Sequence, residues 1–262
     1  MPQADEGSSS LMLTSRRMWA PEQYERFRAE RRQPFDDLLA LVERRPRMRV
    51  VDLGCGTGEL TRELHDTLAA AQTLGVDSSA AMLAKARSHA TGTLTFEQAQ
   101  IESVTGTFDL IFSNAALHWV ADHQQLFARL TRALAPEGQL AVQMPANDEH
   151  ASHRVAAAVA QEMGIAPRPD HVLRVEEYAE LLHRLGYATQ HVRLQVYGHL
   201  LPSAGDVVEW VRGALLTHYQ ELLGARFDEF LAEYRRRLQA MLGDVRPYFY
   251  TYKRILLRGR LQ

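Results

Sequence analysis

VVDLGCGTGELT, residues 50–61, places Gly54, Gly56 and Gly58 at alternate positions directly after a short run of strand-forming residues. A turn so bare of side chains, between a strand and a helix opening near Glu59, lets a bound molecule lie against backbone. Free N–H groups and the positive end of the helix dipole there suit a polar or negatively charged ligand. The spacing narrows the choice. A dinucleotide fingerprint, G-x-G-x-x-G, needs its third glycine three positions after the second, and Glu59 stands there. The turn also lacks the lysine and Ser/Thr pair of a phosphate loop. A smaller ligand fits better, a nucleoside bearing an amino acid. Asp77, 19 residues after Gly58, ends the next strand and is placed to accept hydrogen bonds from both ribose hydroxyls.

Outward from this turn, strands and helices alternate. RMRVVDLG reads as a buried strand, and Glu59 to Ala71 as a helix with Leu60, Leu64 and Leu68 on one face. TLGVDSS, LTFEQAQ, FDLIFSNAA and QLAVQMP read as further strands, separated by the helices AAMLAKARSHA and His123 to Leu134, with a turn at Pro136–Gly138. Such alternation implies a parallel sheet covered on both faces. Upstream, Tyr24, Phe27, Phe35, Leu38, Leu39 and Val42 have helical spacing interrupted at Gln33–Pro34, which predicts two short helices. Downstream, EEYAELLHRLGY predicts a helix, ATQHVRLQVYGHLL a strand, and Asp206 to about Gly243 a helical stretch before the last strand, YTYKRILLRGRL. About 40 residues of helix between two strands exceed an ordinary crossover and suggest a lid over the C-terminal edge of the sheet.

Composition excludes some partners. The 262 residues carry 30 Lys plus Arg against 32 Asp plus Glu, so the chain offers no electrostatic case for nucleic acid or acidic membrane. Cys55, the single cysteine, rules out an intramolecular disulfide and a cysteine-built metal site, in keeping with a reducing compartment. Leu11 to Leu13 is far short of a signal-peptide core, and no apolar run approaches the roughly 20 residues of a membrane span. Residues 1–15 read as a mobile tail and residues 16–262 as one domain, with a core over 46–145, a helical insertion over about 204–245 and a cytoplasmic setting. Oligomeric state is left open.

VVDLGCGTGELT, GVDSSAAML, FDLIFSNAALHWV and LAPEGQLAVQMP, in this order over residues 48–145, resemble the motif series of class I S-adenosylmethionine-dependent methyltransferases. AERRQPFDDLLALV, NAALHWVADHQQLF and QLAVQMPAN are similar, more narrowly, to trans-aconitate 2-methyltransferases, which methylate a carboxyl group of a small acid. VVEWVRG and KRILLRGR extend that likeness toward the C-terminus. The resemblance implies a Rossmann-like fold with a seven-stranded, mostly parallel sheet, its last strand antiparallel, an N-terminal helical lid and a helical insertion before the last strand.

It also implies roles. Gly54, Gly56 and Gly58 would lie against the methionine part of S-adenosylmethionine, and Asp52 would order the turn or reach the donor's ammonium through water. Asp77 would hold the ribose; Ser78 and Met82 would border the adenine, with Gln100 and Ile101 beyond. At Gln100 the family usually has an acidic residue, and an amide oxygen still accepts the same hydrogen bond. Asn114 would face the methionine carboxylate or the sulfonium, with Ala115 and Ala116 keeping the approach open.

For the acceptor, His118 and Trp119 follow the fourth strand, where family substrates meet the donor, and His118 stands where the trans-aconitate enzymes have glutamine. A carboxylate is its own nucleophile at pH 7 and would leave His118 as a clamp; a phenol or amine acceptor would need it as base; its third reading is a plain surface histidine on a loop. Arg31, Tyr24 and Arg254 are candidate substrate contacts, with Arg212 and Tyr219 behind them, whereas Thr217 replaces an arginine of the family pattern. Trp19 reads as a staple to the core. Asp148, His150 and His153 read as a solvated loop, with no metal implied, and YRRRLQ, 234–239, as an exposed helix face. The expected function is methyl-ester formation on a trans-aconitate-like acid. O- or N-methylation of another small molecule and a non-catalytic S-adenosylmethionine-binding protein remain as alternatives, with an NAD-dependent oxidoreductase disfavoured by the glycine spacing.

Overall fold

A computed structural model describes residues 28–213 and 215–262, with side chains from residue 32 onward. The expected tail, Trp19 and Tyr24 lie outside the described residues, and so does the side chain of Arg31.

The chain begins with α1 (Arg28–Leu39) and enters β1 (Arg49–Leu53), α2 (Glu59–Leu68), β2 (Gln72–Asp77), α3 (Ala80–Ala86), β3 (Leu94–Gln98) and β4 (Phe108–Asn114). A 3-10 turn, Leu117–Trp119, precedes α4 (His123–Arg132) and β5 (Leu134–Pro145). Then follow α5 (Ala151–Glu162), α6 (Val175–Arg184), β6 (Thr189–Leu201), α7 (Asp206–Arg212), α8 (Leu215–Leu223), α9 (Phe227–Leu242) and β7 (Tyr248–Arg260). The seven strands form one sheet in the order β3-β2-β1-β4-β5-β7-β6. β7 runs antiparallel to both of its neighbours, and the remaining pairs are parallel. Among the described residues no helix is long and apolar enough to cross a membrane.

Both faces of the sheet are covered, as the continuous burial of Val50, Val51, Asp52 and Leu53 shows. Val50 and Val51 are neighbours in sequence and enter different cores. Val50 joins Phe35, Leu38, Leu64, Phe112 and Leu256 under α1 and α2, while Val51 joins Leu53, Ile111, Phe127, Tyr178 and Leu257 under α4 and α6. A third core holds α5, α7, α8 and α9 against Tyr250 and Tyr252, at the end of the antiparallel β6–β7 pair that projects beyond β5.

Two expectations need correction. α1 does not break at Gln33–Pro34 but runs through Pro34. A proline inside a helix costs about 3 kcal/mol. Burial of Phe35, Leu38 and Leu39, each worth about 1.5–3 kcal/mol, offsets it. Pro136–Gly138 does not separate a helix from a strand, because β5 already starts at Leu134. The register against β4 jumps from Phe108↔Leu134 to Leu110↔Gln139, so the strand bulges there, with Glu137 at φ 57°. As expected, the stretch from Asp206 to Gly243 is helical; it divides into three helices and a 3-10 turn, and the helices carry buried residues into the third core.

Candidate functional site

The register places the ends of the parallel strands along one edge. Leu53 pairs with Val76, Asp77 with Gln98 and Asn114 with Gln143, so the glycine turn, Asp77 and Asn114 line the C-terminal edge together. Gly54, Gly56 and Gly58 all have positive φ, at 78°, 56° and 78°. Their hydrogens serve different purposes. A Cβ on Gly54 would sit 2.2 Å from the Ala116 Cβ, and one on Gly58 would sit 2.8 Å from Ala86 Cβ and Phe96 Cζ. A Cβ on Gly56 would meet nothing within 4 Å. Two glycines are therefore required by the protein's own packing, and Gly56 alone of the three opens bare backbone to a ligand.

The turn's N–H groups are mostly spent internally, which corrects the expectation that they hold the ligand. Gly54 and Cys55 donate to the Val76 carbonyl, Gly58 to the Cys55 carbonyl, and Gly56 to Asp77 Oδ2 at 2.9 Å. Asp77 Oδ1 accepts the Ser79 N–H at 2.8 Å. A carboxylate has about four acceptor positions, so two remain for hydroxyl donors. Ser79 rather than Ser78 caps α3, its Oγ accepting the Met82 N–H at 3.3 Å. Ser78 is exposed and holds Gln98 Nε2 through its carbonyl at 3.0 Å, while Met82 is half-buried beside it. Gln100 is exposed at the head of a 3-10 turn, and Ile101 packs against the core.

Asp52 is buried below the turn, its Oδ2 accepting the Thr61 hydroxyl at 2.6 Å. Burial pushes its carboxyl up to about 7, against the Thr61 hydrogen bond, and the Asp77 charge adds to the rise. Cys55 fills a small site with Leu83, Ala86 and Phe96, where burial raises its thiol, so it has no nucleophilic character.

At the end of β4, Asn114 is followed by Ala115 at φ 57°, a strained conformation for a residue with a Cβ. His118 and Trp119 are half-buried, with ring centroids 4.6 Å apart. Their 3-10 turn is anchored by His123, which the sequence reading passed over. His123 Nε2 donates to the Leu117 carbonyl at 3.0 Å, and Nδ1 accepts a hydrogen bond from the Tyr178 hydroxyl. Burial lowers the His123 pKa, which keeps the ring neutral and this tautomer in place.

Arg254 is buried on β7, its Nη1 donating to Gln143 Oε1 at 3.0 Å and its guanidinium 4.9 Å from the Tyr252 ring centre. Tyr219 is core, with its hydroxyl accepting the Arg168 N–H at 3.2 Å, and Arg212 is a surface residue paired with Glu209. Thr217 is half-buried on α8. The solvated-loop reading of 148–153 is corrected. His150 caps α5, Ser152 Oγ bonds both His150 and His153, and burial lowers His153 to about 3. Asp148 pairs with Arg168 at 2.5 Å, an arginine missed because Pro167 and Pro169 flank it and it has no periodic pattern. Among the described residues no group of three side chains suits a metal ion. On α9, Arg235, Arg236 and Arg237 are held by Glu209, Glu233 and Glu162.

Residues 44–186 match a family model described as a methyltransferase domain. A trans-aconitate 2-methyltransferase of Deinococcus radiodurans is 45% identical over 249 residues, covering 91% of this chain and 96% of that protein. The chain belongs to the trans-aconitate 2-methyltransferase family. Its Variovorax paradoxus member is 41% identical over 84% of this chain and 88% of that protein. Solved structures share the class I methyltransferase fold. The YcgJ protein of Bacillus subtilis aligns with a TM-score of 0.61 at 16% identity, covering 88% of this chain and 99% of that one. A phosphoethanolamine N-methyltransferase 2 of Haemonchus contortus, in complex with S-adenosyl-L-methionine, aligns at 0.55 with 20% identity, over 88% of this chain and 53% of that one. In this chain the seven-stranded sheet carries the motifs along one edge.

Proposed function

We propose that this protein transfers a methyl group from S-adenosylmethionine to a carboxylate of trans-aconitate or a closely similar polycarboxylic acid, giving a methyl ester and S-adenosylhomocysteine. One observation carries the reading. In a chain 45% identical to a trans-aconitate 2-methyltransferase, the only glycine of the turn open to a ligand, Gly56, lies beside the carboxylate of Asp77.

The residues present fit the donor. Gly56 leaves a cradle that a Cβ would fill, and Asp77 keeps acceptor positions for ribose hydroxyls. Met82 and Ile101 supply apolar surface for the adenine, and Gln100 an amide oxygen for its amino group. Asp52 orders the turn through Thr61. When bound, the sulfonium supplies an electrophilic methyl group. The chain's own residues then align the acceptor and exclude water. An ionised carboxylate needs no base, so His118 and Trp119 act as walls and hydrogen-bonding contacts of the acceptor site, and Asn114 borders the transfer path. Arg31 and Tyr24, on the N-terminal side, are assigned to the acceptor's remaining carboxylates. The chain from about residue 16 works as one methyltransferase domain, with α7 to α9 over the acceptor side.

A labelled-methyl assay over di- and tricarboxylic acids tests this. Trans-aconitate or a near analogue takes up label that is released by mild base, as an ester is. Incorporation into none of the acids by protein that binds S-adenosylmethionine overturns it.

A further inference from the structure

Three side chains on adjacent strands form a hydrogen-bonded chain at the transfer edge. Arg254 Nη1 on β7 donates to Gln143 Oε1 on β5 at 3.0 Å, and Gln143 Nε2 donates to Asn114 Oδ1 on β4 at 2.7 Å. Gln143 is buried, and its backbone carbonyl also accepts the N–H of the strained Ala115 at 2.8 Å. The chain has a direction that chemistry imposes. A guanidinium carries five N–H donors and no acceptor, so the atom Gln143 turns toward Arg254 must be its oxygen. Its NH2 then faces Asn114, which must answer with its own oxygen. The branch of Asn114 left over is therefore an NH2, and among the described residues that NH2 has no hydrogen-bond partner.

We infer that Gln143 and Arg254 are positioning residues that fix Asn114 as a hydrogen-bond donor, so that the end of β4 selects a carboxylate oxygen over a group that must itself donate. The assignment to a carboxylate acceptor rests on the function proposed above; the directed chain does not. A freely turning asparagine offers either an oxygen or an NH2. Here the buried arginine, two residues removed from the site, removes that choice. An anion gains a fixed donor, and an amine or a phenol hydroxyl loses the acceptor it would need at the same point. The carboxylate is either that of the acceptor acid or that of the donor's methionine, and affinity for each can be read separately.

Two substitutions reverse the polarity without emptying the core. Gln143→Glu keeps a partner for Arg254 but has no proton for Asn114, which then turns its NH2 inward and presents oxygen at the edge. Asn114→Asp leaves Gln143 and Arg254 in place and presents a negative oxygen. Calorimetric titration with S-adenosylhomocysteine, then with trans-aconitate on the S-adenosylhomocysteine-bound protein, gives both affinities; thermal melting reports the fold. In both variants at least one affinity falls by about tenfold or more, the loss of one charge-assisted hydrogen bond, with melting close to wild type. A fall for trans-aconitate alone assigns the acceptor's carboxylate, and a fall for S-adenosylhomocysteine alone the donor's. Both affinities unchanged in a folded variant overturn the inference. If Gln143→Glu does not fold, Asn114→Asp decides it. Wild-type protein that neither binds nor methylates any acid overturns the proposed function instead, and the S-adenosylhomocysteine arm then decides the inference.

Discussion

The Asp77 carboxylate accepts the Gly56 N–H at 2.9 Å, while the missing side chain of Gly56 leaves open space above it. Gly56 leaves the turn open and Asp77 holds it from β2, so the open surface of the turn depends on both. Asp77→Ala removes that tie, the Ser79 contact and the remaining acceptor positions. Affinity for S-adenosylhomocysteine, measured by calorimetry, falls at least tenfold, since hydrogen bonds to a charged group are worth about 1.5–3 kcal/mol each. Wild-type affinity in this variant contradicts the ribose assignment.

The three glycines separate by experiment. Gly56→Ala meets no atom within 4 Å and pays only the left-handed strain of about 1–2 kcal/mol, so it folds and binds S-adenosylhomocysteine weakly. Gly54→Ala drives a Cβ to 2.2 Å from Ala116 and melts well below both Gly56→Ala and wild type. Equal melting temperatures for the two variants contradict this division of labour.

Asp52 predicts a pH dependence with a definite sign. Its carboxyl is raised to about 7 in the fold from an ordinary 3.8, so the unfolded chain ionises first. The resulting cost to stability is absent below pH about 4, grows through the interval and is complete above about 7. Asp52→Asn, which still offers Thr61 an oxygen, gains melting temperature on wild type between pH 5 and pH 8. A difference independent of pH is the contrary result. His153 acts in the opposite direction: lowered to about 3, it stays neutral in the fold while the unfolded chain protonates, so stability is lost as pH falls from about 6.5 toward 3.

Tyr178→Phe leaves His123 Nδ1 and the Leu173 N–H without the hydroxyl that serves both. Unmet buried groups cost about 1–3 kcal/mol, which lowers the melting temperature by several degrees in a chain of this size. Because His123 holds the turn bearing His118 and Trp119, kcat/KM for the acceptor falls with it. A stability loss with unchanged kcat/KM separates the turn from the acceptor site.

Much of this was legible in residues 48–145. Strand-forming runs that are apolar on both faces, the glycine spacing and Asp77 are local patterns, and they led to the parallel sheet, its order of elements and the meeting of the glycine turn with Asp77 at one edge. The helix over Pro34 was not legible, because the proline rule is local while the burial of Phe35 and Leu38 that overrides it comes from the sheet beneath. Arg168 and His123 were missed for a related reason, since neither sits in a periodic or glycine-rich pattern and each gains meaning only from partners at Asp148 and Tyr178.

By itself the sequence determined the class of fold and the chemistry of the donor, because backbone conformation and strand burial are written in short stretches of residue types. Which glycine leaves open space, which nitrogen of His123 carries its proton and which way the Asn114 amide is turned follow only from the tertiary structure. Each depends on atoms far away in the chain: Ala116 against Gly54, Tyr178 against His123, Arg254 through Gln143 against Asn114. Hydrogen-bond direction is a property of pairs, and the pairs form only when the strands lie side by side.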